Sequence, residues 1–331
     1  MNLDLRPLTV SEFLDRTFSV YRHRFLLFAG LMAPQAVLSL IAAMLMGWAQ
    51  SSLQTAPDFE MEQLTLFLAG AGLGALVFVV LHWVLYVIGA GAIASAVSDL
   101  YGRARPEMGS AYTAATRRLA SLLWATFLMA VRVFGVIAVS VLPGGILLGL
   151  AGGANVLQPD STGTWATLLI AGLLVISLGA TVGFVLMIYM GLRYAVTIPT
   201  VVLEPIGGRD AIRRSIRLTS GLLLRALLLM ICAAVIGYAA AMILQMPFVV
   251  GMLLAGPETR TGFWLNMAGT ATGAAGQALT APLFAIGVAV LYFEARIRHE
   301  ALDLQVMTEA LAPPVMPAAS GYAPAPPPVP N

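Results

Sequence analysis

Six apolar stretches, at about 25–49, 66–98, 121–142, 165–192, 222–250 and 268–293, constrain this chain more than any other feature. A helix rises 1.5 Å per residue, so about 20 residues cross the roughly 30 Å hydrocarbon layer of a bilayer, and every stretch is long enough. Lipid offers no water to satisfy backbone amides and carbonyls, so each stretch must close its hydrogen bonds internally as a helix. Composition agrees, since 59% of the 331 residues are hydrophobic and only 10% are charged, against about 25% charged in soluble domains. The expected fold class is all-α: a polytopic membrane protein of about six transmembrane helices. The first stretch begins near Phe25, after a polar segment, and exceeds the core of a signal peptide, so it is expected to stay as an anchor.

All 18 basic residues are Arg, and their placement sets the expected topology. Arg6, Arg16, Arg22 and Arg24 precede the first stretch; Arg103, Arg105, Arg117 and Arg118 lie between the second and third; Arg209, Arg213, Arg214 and Arg217 lie between the fourth and fifth; Arg296 and Arg298 close the sixth. The alternate loops are nearly free of positive charge: 50–65 contains Asp58, Glu60 and Glu62 but no Arg, 143–164 has no Arg, and 251–267 has Arg260 as its one basic residue. The positive-inside rule then puts both termini and the Arg-rich loops in the cytoplasm, with the chain in the plasma membrane.

Beneath this pattern runs a repeat of about 100 residues, with units near 8–105, 106–206 and 207–309. Each unit reads as an amphipathic interfacial helix followed by a helical hairpin. In the first, Thr9 and Glu12 have capping-box spacing and Leu8 and Phe13 have staple spacing. Val10, Phe13, Leu14, Phe18 and Tyr21 are predicted to share one face, opposite Glu12, Asp15, Arg16, Ser19 and Arg22. The third copy sets Ile212 and Ile216 against Arg209, Arg213 and Arg217; the middle copy, from Pro106, is weaker. Each returning span ends in an acid followed by arginines: Asp99, Glu204 and Glu294. Such helices lie on a leaflet, where anionic lipid attracts each Arg by about 1 kcal/mol; the other reading is that the arginines only set topology. From residue 312 to 331 the chain is Pro-rich and uncharged, a disordered cytoplasmic tail by composition.

Small residues recur at packing spacing, as Gly70 and Gly74, Gly179 and Gly183, and Gly269 and Gly273, and predict close helix contacts. Arg132 falls near the middle of the third span, where a charge is costly and must find protein, water or a ligand. It either binds an anion in a cavity or snorkels toward an interface. His82 is also central, read as an interhelical hydrogen-bonder ahead of a metal ligand or proton relay. Arg193 ends the fourth span before Pro199, so Arg193 and Glu204 either bracket a pocket or form a structural ion pair. The ligand or lipid-binding candidates are therefore Arg132, Arg193, Glu204, Arg213, Arg214, Arg217 and His82. His23, His82 and His299 are scattered, Cys232 is the single cysteine, and no HExxH, nucleophile elbow, CxxC or P-loop occurs. The sequence implies no catalytic residues, cofactor, metal site or nucleic-acid partner.

Three segments carry a resemblance: RPLTVSEFLDRTFSVYRHRFLLF near the start, TIPTVVLEPIGGRDAIRRSIRLTSG in the middle and LYFEARIRHEALDLQ near the end. In order and spacing they resemble bacterial proteins named for the glycerophosphodiester phosphodiesterase membrane domain. The resemblance implies a stand-alone membrane domain, because the catalytic barrel's histidine and carboxylate motifs have no counterpart here. It points to Glu204, Arg214 and Ser215 in the middle motif and to Glu294, Arg296, Arg298 and Asp303 in the last.

The expected function is a non-enzymatic inner-membrane protein that organises lipids or a membrane-protein partner through its basic helices, with anionic lipid of the inner leaflet as the first partner. The alternative is a carrier or flippase for an amphiphilic or phosphate-bearing anion, with Arg132 in its site. Threefold repetition argues against the latter, since carriers are commonly built from paired repeats. A residual lipid-phosphodiester hydrolase is a third, weaker reading.

Overall fold

The computed structural model describes residues 8–55, 61–102, 104–157, 162–256 and 259–301. Arg6, Asp58, Glu60, Arg103, Asp303 and the Pro-rich 312–331 segment lie outside the described residues. Among the described residues ten helices follow in order: α1 (Val10–His23), α2 (Phe25–Thr55), α3 (Met61–Tyr101), α4 (Met108–Arg117), α5 (Leu119–Leu157), α6 (Thr162–Arg193), α7 (Thr197–Leu203), α8 (Gly208–Leu218), α9 (Leu223–Ala255) and α10 (Arg260–Glu300). Six of them are long and apolar enough to cross a membrane, so the chain is an all-α polytopic membrane protein. The order short, long, long occurs three times, with α1, α4 and α8 as the short members; α7 continues the line of α6 after a break at Tyr194–Val196. That break comes just before Pro199, which then sits in the first turn of α7, where its missing N–H costs nothing.

The start of α1 follows from local chemistry. Thr9 and Glu12 form the reciprocal capping box, while Leu8 and Phe13 are buried at its flank. The buried side of α1 is Phe13, Thr17 and Val20. Phe18, expected on that side, is exposed; the inward stripe is centred on Phe13, and Phe18 lies too far around the helix to join it.

Packing between elements runs in a cycle. Each short helix seats on the returning span of the preceding unit: α4 on α3, α8 on α7, and α1 on α10, so that the first unit closes onto the last. The returning spans α3, α7 and α10 touch one another at the centre. A small cavity there is lined by one helix from each unit, including Ala90, Ala195 and Ala285, each nine residues before the acid of its unit. The cycle is uneven, however. In the most apolar window of α10, 72% of residues are buried, against 6% in α5. The α5–α6 hairpin therefore stands out into the membrane, whereas α2 and α9 pack along α10.

Two tyrosines fasten short helices to proline-loosened spans. Pro34 cannot donate to the Gly30 carbonyl, and the Tyr112 hydroxyl of α4 donates to Leu31 O at 2.8 Å and to Gly30 O at 3.3 Å. Tyr21 of α1 likewise donates to the Leu279 carbonyl, one turn before Pro282 in α10. Neighbouring helices satisfying freed carbonyls is how membrane helices tolerate proline.

The small-residue pairs divide. A Cβ on Gly179 would run into the Ser140 carbonyl, and one on Gly183 would meet Ser140 and Ile137, so α5 and α6 approach closely there. Gly269 and Gly273 receive Phe248 and Gln245 of α9. Gly70 and Gly74 face nothing within 4 Å, against the expectation of a packed contact. They lie on an open side of α3, so the spacing has no partner to serve.

Candidate functional site

Two ionic clusters occupy the arginine-rich end of the bundle, each built around the acid that ends a returning span. Glu294 of α10 has a fully buried side chain (0% exposed) and pairs with Arg225 of α9 at 2.7 Å and with Arg298 one turn on. Its oxygens accept the Leu8 amide at 3.1 and 3.2 Å, while Arg225 and Arg298 each donate to the Leu8 carbonyl at 2.8 Å. The peptide entering α1 is thus held at both polar atoms by a carboxylate and two guanidinium groups. A buried carboxylate is tolerable only when its lone pairs are filled in this way.

The second cluster centres on Glu204, just past α7. Arg214 of α8 donates to it at 3.0 and 3.3 Å, and the Tyr292 hydroxyl of α10 donates at 2.8 Å. Arg214 also meets Glu300, which accepts from Arg296 at 3.1 Å. Burial alone would lower the Arg214 pKa, but hydrogen bonds and charge from Glu300 and Glu204 outweigh it and hold the guanidinium above its ordinary range. The cluster ties α7, α8 and α10 together.

Superposing the buried positions of the short helices, Phe13 and Thr17, Ala111 and Ala115, and Ala211 and Ser215, puts Arg16, Ala114 and Arg214 in register. Arg16 hydrogen bonds to Tyr101, Arg214 holds Glu204, and Ala114 has no charge to offer the Asp99 that ends α3. Among the described residues nothing bonds to the Asp99 carboxylate.

The sequence candidates separate by environment. Arg193 and Glu204 do not pair: the Arg193 guanidinium takes the Tyr189 hydroxyl at 2.9 and 3.0 Å and the Ile216 carbonyl at 3.3 Å. Its own carbonyl accepts from Ser215 and Thr219 at 3.0 and 3.2 Å, so Arg193 belongs to the seat of α8. His82 bridges to α2, with its ring nitrogens 3.3 Å from Gln35 Nε2 and Ser39 Oγ, an interhelical arrangement. Arg209, Arg213 and Arg217 are exposed in one stripe of α8, opposite the buried Ala211, Ile212, Ser215 and Leu218. Among the described residues the one ion pair there, Arg213 to Asp210, is long at 4.0 Å and exposed, worth little. Arg132 is exposed on α5.

Arg225, Tyr292 and Glu300 complete these clusters without belonging to the candidates that the sequence offers. Arg225 had a signal, a charge three residues inside an apolar run, and Glu300 lies one helical turn from Arg296; Tyr292 had none. A groove of about 890 Å³ runs along α9 and α10, lined mostly by Ala, Met and Val with Gln277 and Thr280. Among the described residues no group of three His, Cys, Asp or Glu lies close enough to hold a metal ion. No protein-family model, curated protein or solved structure matches the chain.

Proposed function

We propose that this chain is a non-enzymatic protein of a bacterial inner membrane that gathers anionic lipid at the cytoplasmic leaflet through its basic amphipathic helices. The observation that carries the reading is the division of labour on α8. One arginine, Arg214, is drawn inward to fasten the helix to Glu204 and Glu300, and three others, Arg209, Arg213 and Arg217, stay exposed on the outward stripe, Arg209 over the Trp124 ring at 6.0 Å and Arg213 in the long pair with Asp210. A helix so fastened presents fixed charge to the headgroup layer. Arg22 in the last turn of α1, Arg24 at its C-cap and Arg117 of α4, all exposed, lie at the same end and extend the basic surface.

The test is to exchange Arg209, Arg213 and Arg217 together for Gln and measure phosphatidylglycerol enrichment around the protein in nanodiscs of mixed phosphatidylcholine and phosphatidylglycerol. At about 1 kcal/mol per arginine the ceiling is about a hundredfold loss of preference, and a loss of at least tenfold is expected. Unchanged enrichment in a correctly inserted variant refutes the proposal.

A further inference from the structure

We infer that the cleft where α5 parts from α3 is a binding site for the phosphate of a membrane phospholipid, with Arg132 as its anion-binding residue. This site stands independently of the basic surface of α8.

At the arginine-rich end α5 is seated. Leu122 and Ala125 are buried, and Leu128 and Met129 pack against the same cluster, which includes Val87 and Trp83 of α3 and Ile212 of α8. Residues three and four apart share a helix face, so the stripe through Ala125 and Leu128 reaches Arg132 one turn farther along. There the cover ends: from Phe127 to Pro143 no side chain of α5 is buried. The facing stripe of α3 runs from Val87 through Trp83 to Val80 and Leu76, and these last two are exposed. The two helices therefore close on each other at one end and leave a wedge open to lipid beyond it, with a guanidinium near its apex on one wall and bare hydrocarbon on the other.

Arg132 has no hydrogen bond or ion pair with any described residue. It lies thirteen residues beyond Leu119, the first residue of α5, or about 20 Å along the axis, too deep to share the plane of Arg117 and Arg118. Helical side chains lean toward the helix N-terminus, so this one leans toward the arginine-rich side. A charge at that depth needs a counter-ion, and the surrounding lipid can supply one. A phosphodiester offers two oxygens to the guanidinium fork, and its acyl chains suit the apolar wall formed by Val80 and Leu76. Charge and shape both select a phospholipid over a soluble anion, which would have to cross hydrocarbon to arrive.

The experiment uses full-length protein in detergent, followed by thermal unfolding and native mass spectrometry. Added probes are dioleoyl phosphatidylglycerol, dioleoylglycerol with the same chains and no phosphate, and inorganic phosphate. The Arg132 variants are compared on the α8 triple-Gln background, which lacks the basic surface of α8, and there Arg132 is expected to hold one molecule of phosphatidylglycerol and to be stabilised by it. Arg132→Gln should retain it at least tenfold more weakly, and Arg132→Lys should recover part of the loss. Because the Gln change takes an unpaired charge out of hydrocarbon, the variant should insert and fold, and equal unfolding temperatures without lipid check that. Equal retention on that background with Arg132 and with Arg132→Gln, or equal stabilisation by dioleoylglycerol, overturns the site. An Arg132-dependent response to inorganic phosphate matching that to lipid overturns the assignment to phospholipid. Loss of lipid enrichment only in the α8 variant would leave the surface proposal standing and remove this one.

Discussion

Glu294→Gln tests whether the first repeat unit is locked to the last by charge. The Glu294 side chain is fully enclosed, Arg225 is 14% exposed and Arg298 is 34% exposed. The amide keeps the volume and one acceptor, but leaves two guanidinium groups facing no charge. Removing one partner of a buried pair costs about 3–5 kcal/mol. Arg298 can turn toward water, so the lower end, about 3 kcal/mol, applies here. The loss should be local, because the cluster grips Leu8 and with it the start of α1. Hydrogen exchange in detergent should therefore show α1 opening faster by about two orders of magnitude, with the α5–α6 hairpin unchanged. Combining Glu294→Gln with Arg225→Gln should cost less than the sum of the two, with a coupling of at least about 1 kcal/mol. Wild-type protection of α1 in Glu294→Gln, or strict additivity, would refute the claim that this carboxylate closes the cycle.

Arg214→Lys should weaken the seat of α8, since an ammonium cannot fork between Glu204 and Glu300; a fall in thermal stability larger than that for Arg213→Lys checks this, and equality of the two would contradict it. The glycines should separate by contact: Gly276→Val, whose Cβ would sit 2.9 Å from the Ala240 and Ala241 backbone, should destabilise by about 1–3 kcal/mol. Gly74→Ala, with open space around it, should be neutral or slightly stabilising through helix propensity, as read by unfolding in detergent.

Much of the fold is legible along the chain because lipid makes its demands locally. Each span must satisfy its own backbone, so its length and apolarity are visible without a partner. The Thr9 and Glu12 cap is equally local, since its two groups are three residues apart. The site is another matter. Glu204 finds Arg214 ten residues on and Tyr292 eighty-eight residues on, while Arg193, eleven residues before it and on one reading its ion-pair partner, turns to Tyr189 and to the α8 backbone. Glu294 and Leu8 are 286 residues apart. Nothing in local spacing distinguishes an acid that caps a span from one that joins two units.

The amino-acid order alone determines that this protein lives in a bilayer, how many times it can cross it and which ends of its helices carry arginine, because burial of backbone polar groups and the cost of charge in lipid act within each segment. Only the tertiary structure decides which arginines are consumed in holding the bundle together and which stay available. The reason is geometric. A guanidinium's role depends on which helix lies beside it, and the uneven packing that seats Arg214 and leaves Arg132 uncovered arises from contacts between helices far apart in the chain.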